Sequence, residues 1–186
     1  MAASNTRRNQ DAHPDDLYQT DPKAVKLAIT AGVFKGIASA YDPCNGFGAL
    51  SNELKKIGIK VDTSDLIDYG IGDRIEDFLN PEIELDNPVD AIVFNPPFKM
   101  TTDFVTQALK LNDRLIMFNR VTFLETVSRA VKIQSTWGLT DIYYHAARVG
   151  CTKGTGEKDY KNSVFYAWYN FEPKKYNGIT KSHWII

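Results

Sequence analysis

The chain is 186 residues long, 43% of them apolar, with 22 Lys and Arg against 23 Asp and Glu. That is the size of one domain, and the apolar share suffices to bury a core, which excludes a wholly disordered chain. A net charge of −1 excludes a global basic field, so any hold on a polyanion has to come from a local patch. Two cysteines, Cys44 and Cys151, make no disulfide framework and point to a reducing, cytoplasmic setting. No apolar run nears the roughly 20 residues of a membrane span, and residues 1–16 lack the apolar core of a secretory signal.

Residues 1–16 carry Asn, Gln, Asp, His and Arg and read as a mobile arm, either a plain unstructured terminus, which is the favoured reading, or one whose Arg7 and Arg8 touch a polyanion. Order begins at Tyr18-Gln-Thr-Asp-Pro22, where Thr20 or Asp21 suits a helix cap and Pro22 the first helical position. Val25, Ala28 and Ile29 share one face of a helix over 23–30, which Gly32 closes. A strand over 37–41 runs into Asp42-Pro43, the glycine turn Asn45-Gly46-Phe47-Gly48 follows, and a helix over 49–57 stops at Gly58. Residues 59–62 read as a second strand, 66–72 as a loop and Asp77-Phe78-Leu79 as a short third strand. The strongest strand lies over 89–94, nearly continuous in apolar residues as in strands buried on both faces. It ends at Asn95-Pro96-Pro97-Phe98. A helix over 102–111, a strand over 114–118 and a helix over 123–133 come next. Two aromatic-rich strands, 140–148 and 164–170, flank a loop with Gly and Lys at 150–161 and predict a closing antiparallel pair. Strands alternating with helices, then a hairpin, predict one α/β domain over 17–186 with a largely parallel sheet covered on both faces.

In such an open sheet a ligand sits beyond the carboxyl ends of the strands. Three candidate segments fall there: Asp42 to Gly48, Asp65, and Asn95 to Phe98. Gly46 and Gly48 let backbone approach a ligand where a side chain would collide. Asp65, about twenty residues further on, is placed to accept both hydroxyls of a ribose. The turn is an incomplete dinucleotide fingerprint, because Ser51 stands where the third glycine belongs, and no Gly-Lys-Ser/Thr follows to make a phosphate loop. Taken alone it also suits an ordinary strand-to-helix turn. Asn95-Pro96-Pro97-Phe98 says more. Consecutive prolines cannot extend a strand, and they hold a rigid turn that aims the Asn95 amide and a backbone carbonyl in set directions beside an aromatic ring. Both oxygens accept hydrogen bonds, so together they hold an amino group while Phe98 stacks on a flat ring.

With these motifs on one chain, residues 18–171 resemble the class I S-adenosylmethionine-dependent amino-methyltransferases, in particular the small DNA adenine-N6 enzymes of phages and prophages. Asp42-Pro43-Cys44-Asn45-Gly46-Phe47-Gly48 is similar to their cofactor motif, and Asn95-Pro96-Pro97-Phe98 to their catalytic motif. The resemblance implies a Rossmann-like, mostly parallel seven-stranded sheet with helices on both faces and a C-terminal antiparallel hairpin. It further implies S-adenosylmethionine as cofactor and no metal. Tyr18 and Thr20 fall in the segment that covers the methionine end of the cofactor, Asp65 and Leu66 at the ribose position, and Asp77 and Phe78 in the segment holding the adenine, with Asn95 touching both cofactor and acceptor. Only 18 positions separate Asp77 from Asn95, and about fifteen residues follow the last predicted strand. Neither interval has room for a target-recognition domain, which predicts loose specificity, a homodimer, or a partner subunit that does the reading.

The expected acceptor is adenine in DNA, flipped from the duplex and stacked on Phe98. RNA adenine and a protein glutamine amide pose the same chemical problem and stand as alternatives, as does a silent cofactor-binding partner subunit. His13, His145 and His183 share no metal-ligand spacing with one another or with the cysteines, and Cys44 reads as a small buried residue. Residues 151–186 hold six lysines and three acids among aromatics, either a surface that follows a phosphate backbone or core aromatics with lysines on their solvated side.

Overall fold

This computed structural model describes residues 17–153 and 164–186. In chain order they form β1 (Tyr18–Thr20), α1 (Pro22–Thr30), β2 (Ser39–Asp42), α2 (Ala49–Lys56), β3 (Lys60–Asp65), β4 (Arg74–Ile75), β5 (Ala91–Phe94), α3 (Thr101–Leu111), β6 (Leu115–Arg120), α4 (Val127–Lys132), β7 (Leu139–His145), β8 (Cys151–Lys153), β9 (Tyr166–Phe171) and β10 (Lys181–Ile185). Eight strands make one sheet in the order β10-β7-β9-β6-β5-β2-β3-β4. Within it β9 runs antiparallel to both β6 and β7, and the other pairings are parallel. The predicted antiparallel pair is therefore present, with Tyr143 opposite Trp168 and Tyr144 opposite Ala167.

Period-two alternation divides the core between the two faces of this sheet. Ala91, Val93, Ile116, Phe118 and Trp168 pack with Ala24, Val25 and Ala28 of α1 and Leu50 and Leu54 of α2. Ile92, Phe94, Leu115, Met117 and Tyr169 pack with Phe104, Val105 and Ala108 of α3. The four residues of β5 are fully buried, which is why that stretch reads as an unbroken apolar run. At the entrance to α1, Asp21 rather than Thr20 is the cap: its Oδ1 accepts the Lys23 N–H at 2.9 Å, and Pro22 takes the first helical position.

The sheet has eight strands where seven were expected, because Lys181–Ile185 adds parallel to β7 at the edge. Only Ile185 of that strand is buried, so no alternating apolar pattern announces it. A separate two-stranded sheet joins β1 to β8, with Thr20 opposite Cys151. Asp77–Leu79 is not a strand; Arg74–Ile75 pairs with the end of β3 instead, and Asp77 turns the chain so that Phe78 enters the core. The helix expected over 123–133 breaks into a 3-10 turn at Val121–Leu124, α4 and a π turn at Ile133–Trp137. Thr126 restarts the helix by accepting the Arg129 N–H. The predicted arm at 1–16 and the loop residues 154–161 lie outside the described residues. Among the described residues no helix is long and apolar enough to cross a membrane.

From β2 the chain moves outward through β3 and β4, then returns to β5 on the other side of β2. That reversal opens a crevice between the carboxyl ends of β2 and β5, where ligands of open α/β sheets bind.

Candidate active site

β2 ends at Asp42, whose side chain is 1% exposed. Its Oδ1 accepts the Cys44 N–H at 3.0 Å. Burial drives its pKa up to about 7, the Cys44 bond opposing and the nearby Asp65 adding to the shift. Pro43 is buried behind it. Asn45 works inward: its N–H donates to the Ser64 carbonyl at 3.0 Å, and its Oδ1 accepts from Ser51 Oγ at 2.6 Å. The turn is thereby tied to β3 and α2. Gly48 has φ +74°, and a Cβ there would lie 2.7 Å from Asn52 Nδ2. Asp65 closes the turn from the side, Oδ2 accepting the Gly46 N–H at 2.8 Å and Oδ1 the Ile67 N–H at 3.1 Å. Burial raises the Asp65 pKa, and bonds from Gly46, Ile67 and Leu66 pull against it. Ser51, in the place of a third glycine, thus serves as a donor that orders the turn.

At the end of β5 the Asn95 amide is anchored by its nitrogen. Nδ2 donates to the Tyr18 carbonyl at 2.8 Å and to Thr20 Oγ1 at 3.1 Å, with Cys151 Sγ at 3.4 Å. A carbonyl only accepts, so this contact settles which way the amide faces. Its oxygen, Oδ1, is buried and has no hydrogen-bond partner among the described residues. Thr101 braces the turn that follows, donating to the Phe98 carbonyl at 3.1 Å with the Pro97 carbonyl at 3.3 Å, and accepting from Asn119 Nδ2 at 3.1 Å.

The Phe98 ring lies 4.8 Å from that of Tyr18, and the Arg120 guanidinium sits over it at 4.0 Å. Cys151 and Tyr166 line the same region. Burial pushes the Cys151 thiol up to about 12 and the Tyr166 phenol upward as well, so both are neutral near pH 7. His145 lies apart, its Nε2 accepting from Trp168 Nε1 at 3.1 Å, and burial lowers its pKa to about 4. His183 pairs with Asp141 on the sheet edge.

No protein-family profile and no curated protein matches this sequence. Solved structures do. A Pyrococcus horikoshii protein provisionally described as an RNA methyltransferase aligns with a TM-score of 0.55 at 16% identity, over 81% of both chains. The 23S rRNA methyltransferase ErmE aligns at 0.57 and 16% identity over 88% of this chain and 72% of its own. The Pyrococcus abyssi tRNA (uracil-54, C5)-methyltransferase, solved with S-adenosyl-L-homocysteine, aligns at 0.56 and 14% identity over 80% of this chain and 38% of its own. The chain has a methyltransferase fold.

Within that methyltransferase fold, the expected residues divide into two groups. Asp42, Gly46, Gly48 and Asp65 gather at the ends of β2 and β3, where Asp42 accepts from Cys44 and Asp65 from Gly46, and Tyr18, Thr20, Asn95 and Phe98 gather at the end of β5. Leu66 follows Asp65 on the loop and is half-buried. Asp77 accepts the Leu79 N–H at 2.9 Å, and Phe78 packs against Phe94 and Phe104 in the core rather than facing the crevice. Sequence reasoning missed Thr101, Asn119, Arg120, Cys151 and Tyr166. Thr101 reaches the turn locally, but the registers linking 120 to 166 and 20 to 151 bring Arg120, Tyr166 and Cys151 into the site, and no local pattern encodes them.

Proposed function

We propose that the protein is an S-adenosylmethionine-dependent methyltransferase acting on the exocyclic N6 amine of adenine in nucleic acid, with DNA as acceptor. The observation that carries this reading is the unpartnered Asn95 Oδ1, a buried acceptor held in one orientation by three contacts to the amide nitrogen. A buried acceptor left alone costs about 1–3 kcal/mol, and a fold retains one where something is to bind.

The adenine amine is a poor nucleophile because its lone pair is delocalised into the ring. Asn95 Oδ1 and the Pro96 carbonyl accept its two N–H bonds, so the nitrogen becomes pyramidal and its lone pair localises. Pro96 and Pro97 keep the two acceptors in register, Thr101 braces the turn, and Phe98 supplies the stacking face. The proton leaves after transfer to solvent, and no general base is needed.

The residues present fit the cofactor, which when bound supplies an electrophilic methyl on a sulfonium. Asp65 accepts backbone N–H bonds from Gly46, Ile67 and Leu66, and since a carboxylate has about four acceptor sites, capacity is left for a ribose hydroxyl. Asp42, Pro43, Asn45, Gly46 and Gly48 shape the turn, Leu66 would flank the ribose, Tyr18 and Thr20 would cover the methionine end, and Asp77 would border the adenine, with Phe78 behind it in the core.

The test is methyl transfer from labelled S-adenosylmethionine to DNA, RNA and protein, followed by nucleoside analysis. N6-methyladenine in DNA supports the reading, and label in RNA or on glutamine moves the acceptor. Asn95→Ala should lower kcat by roughly 10²-fold or more with cofactor binding intact. Unchanged activity in Asn95→Ala would remove the mechanism.

A further inference from the structure

Arg120 ends β6 with its backbone fixed, the N–H donating to Asn119 Oδ1 at 2.7 Å and the carbonyl accepting from the Tyr169 hydroxyl at 3.0 Å. Its side chain lies over Phe98, Cζ 4.0 Å from the ring centroid, with the Tyr18 ring at 5.7 Å. Two features favour a role beyond packing. Nε is buried, with no acceptor among the described residues. Among the described residues no ion pair joins it to a carboxylate. Its polar neighbours Tyr166 and Cys151 are held neutral by burial. A cation thus rests on an aromatic face with no carboxylate paired to it among the described residues.

A guanidinium is a flat plate, and here it lies on the ring that the reading above gives to the acceptor base. Base and guanidinium cannot share that face. We propose that Arg120 is a placeholder for the acceptor: it fills the slot on Phe98 in the free protein, and an entering nucleotide displaces it onto a phosphate of the same strand. The guanidinium, which bonds the Tyr166 side chain and leaves Nε without an acceptor among the described residues, can turn its fork of N–H donors to phosphate oxygens bidentately, a match that a glutamine amide or free adenosine does not offer. The site therefore selects a phosphodiester-linked adenine. This inference rests on the assignment of Asn95 and Phe98 to the acceptor amine and ring.

The test uses the full chain, Arg120→Gln and Arg120→Lys, with a short single-stranded oligonucleotide bearing one adenine. A second oligonucleotide carries uncharged methylphosphonate linkages on either side of that adenine. Binding is followed by fluorescence anisotropy across a range of salt with S-adenosylhomocysteine present, and methyl transfer by steady-state kinetics. Arg120→Gln should raise the KM for the oligonucleotide about tenfold, the loss of one charge-assisted contact. The slope of log K against log salt should fall by about 0.7. Arg120→Lys should keep the slope. The methylphosphonate linkages should weaken wild-type binding and leave Arg120→Gln unmoved. Unchanged S-adenosylhomocysteine affinity by calorimetry shows that each variant is folded. An unchanged slope, or a fall in kcat with KM constant, overturns the phosphate role while the adenine reading stands. A wild-type protein that methylates a glutamine peptide and binds no oligonucleotide overturns both.

Discussion

Asp42→Asn should flatten the pH dependence of stability. Burial lifts the Asp42 pKa from 3.8 to about 7, and the side chain is 1% exposed. Between those values the folded protein keeps a proton that the unfolded chain has released, so stability falls as pH rises through this window. The contribution is fully present below about pH 4 and lost above about pH 7. At 1.36 kcal/mol per unit the whole window sets a ceiling of about 4 kcal/mol, and the stretch from pH 5 to pH 7 about 2.5 kcal/mol. Asn resembles the protonated form: it keeps an oxygen for the Cys44 N–H and does not titrate. Asp65 shifts in the same direction, so the comparison that isolates Asp42 is wild type against variant, each unfolded in urea at several pH values. The variant should gain on wild type by about 2.5 kcal/mol between pH 5 and pH 8. Parallel curves would refute the argument, because they would mean that Asp42 titrates alike in the folded and unfolded chain.

Three further outcomes follow from the geometry. Thr20→Val removes one of two oxygen acceptors of Asn95 Nδ2 and leaves Tyr18 O, so kcat should fall about three- to tenfold in labelled methyl transfer at saturating cofactor. Gly138→Ala should destabilise far more than Gly58→Ala in thermal melts. Both have positive φ, but a Cβ at Gly138 would meet the Pro173 Cα at 2.6 Å, and one at Gly58 meets nothing within 4 Å. Trp168→Phe removes the donor to His145 Nε2 and leaves a second buried nitrogen of that ring unmatched, costing about 1–3 kcal/mol in urea unfolding. His145→Phe in the same background should recover part of that loss, and no recovery would point to packing instead.

Legibility followed locality. The four buried residues of β5 form a continuous apolar run because both faces of the strand are covered, so a window of the sequence suffices to find it. The turn at Gly46 and Gly48 and the double proline after Asn95 carry their geometry in residue type. Arg74–Ile75 and Lys181–Ile185 escaped notice because short or edge strands take their state from a partner rather than from their own pattern. Phe78 was assigned to the ligand side, yet its burial against Phe94 and Phe104 depends on how Asp77 turns the chain.

By itself the sequence determined the α/β alternation, the order of the two motifs and the chemical identity of the amide, carbonyl and ring after β5. Those are properties of neighbouring residues, and backbone sterics and side-chain chemistry act over that range. Tertiary structure alone decided which way the Asn95 amide faces, since its anchors at Tyr18 and Thr20 lie 77 and 75 positions away and a third at Cys151 lies 56 away. It also decided that a cation occupies the face of Phe98, because the parallel pairing of β5 with β6 sets the two strand ends side by side. Contacts at such separations exist only after the chain has closed long loops, and no short stretch of residues specifies them.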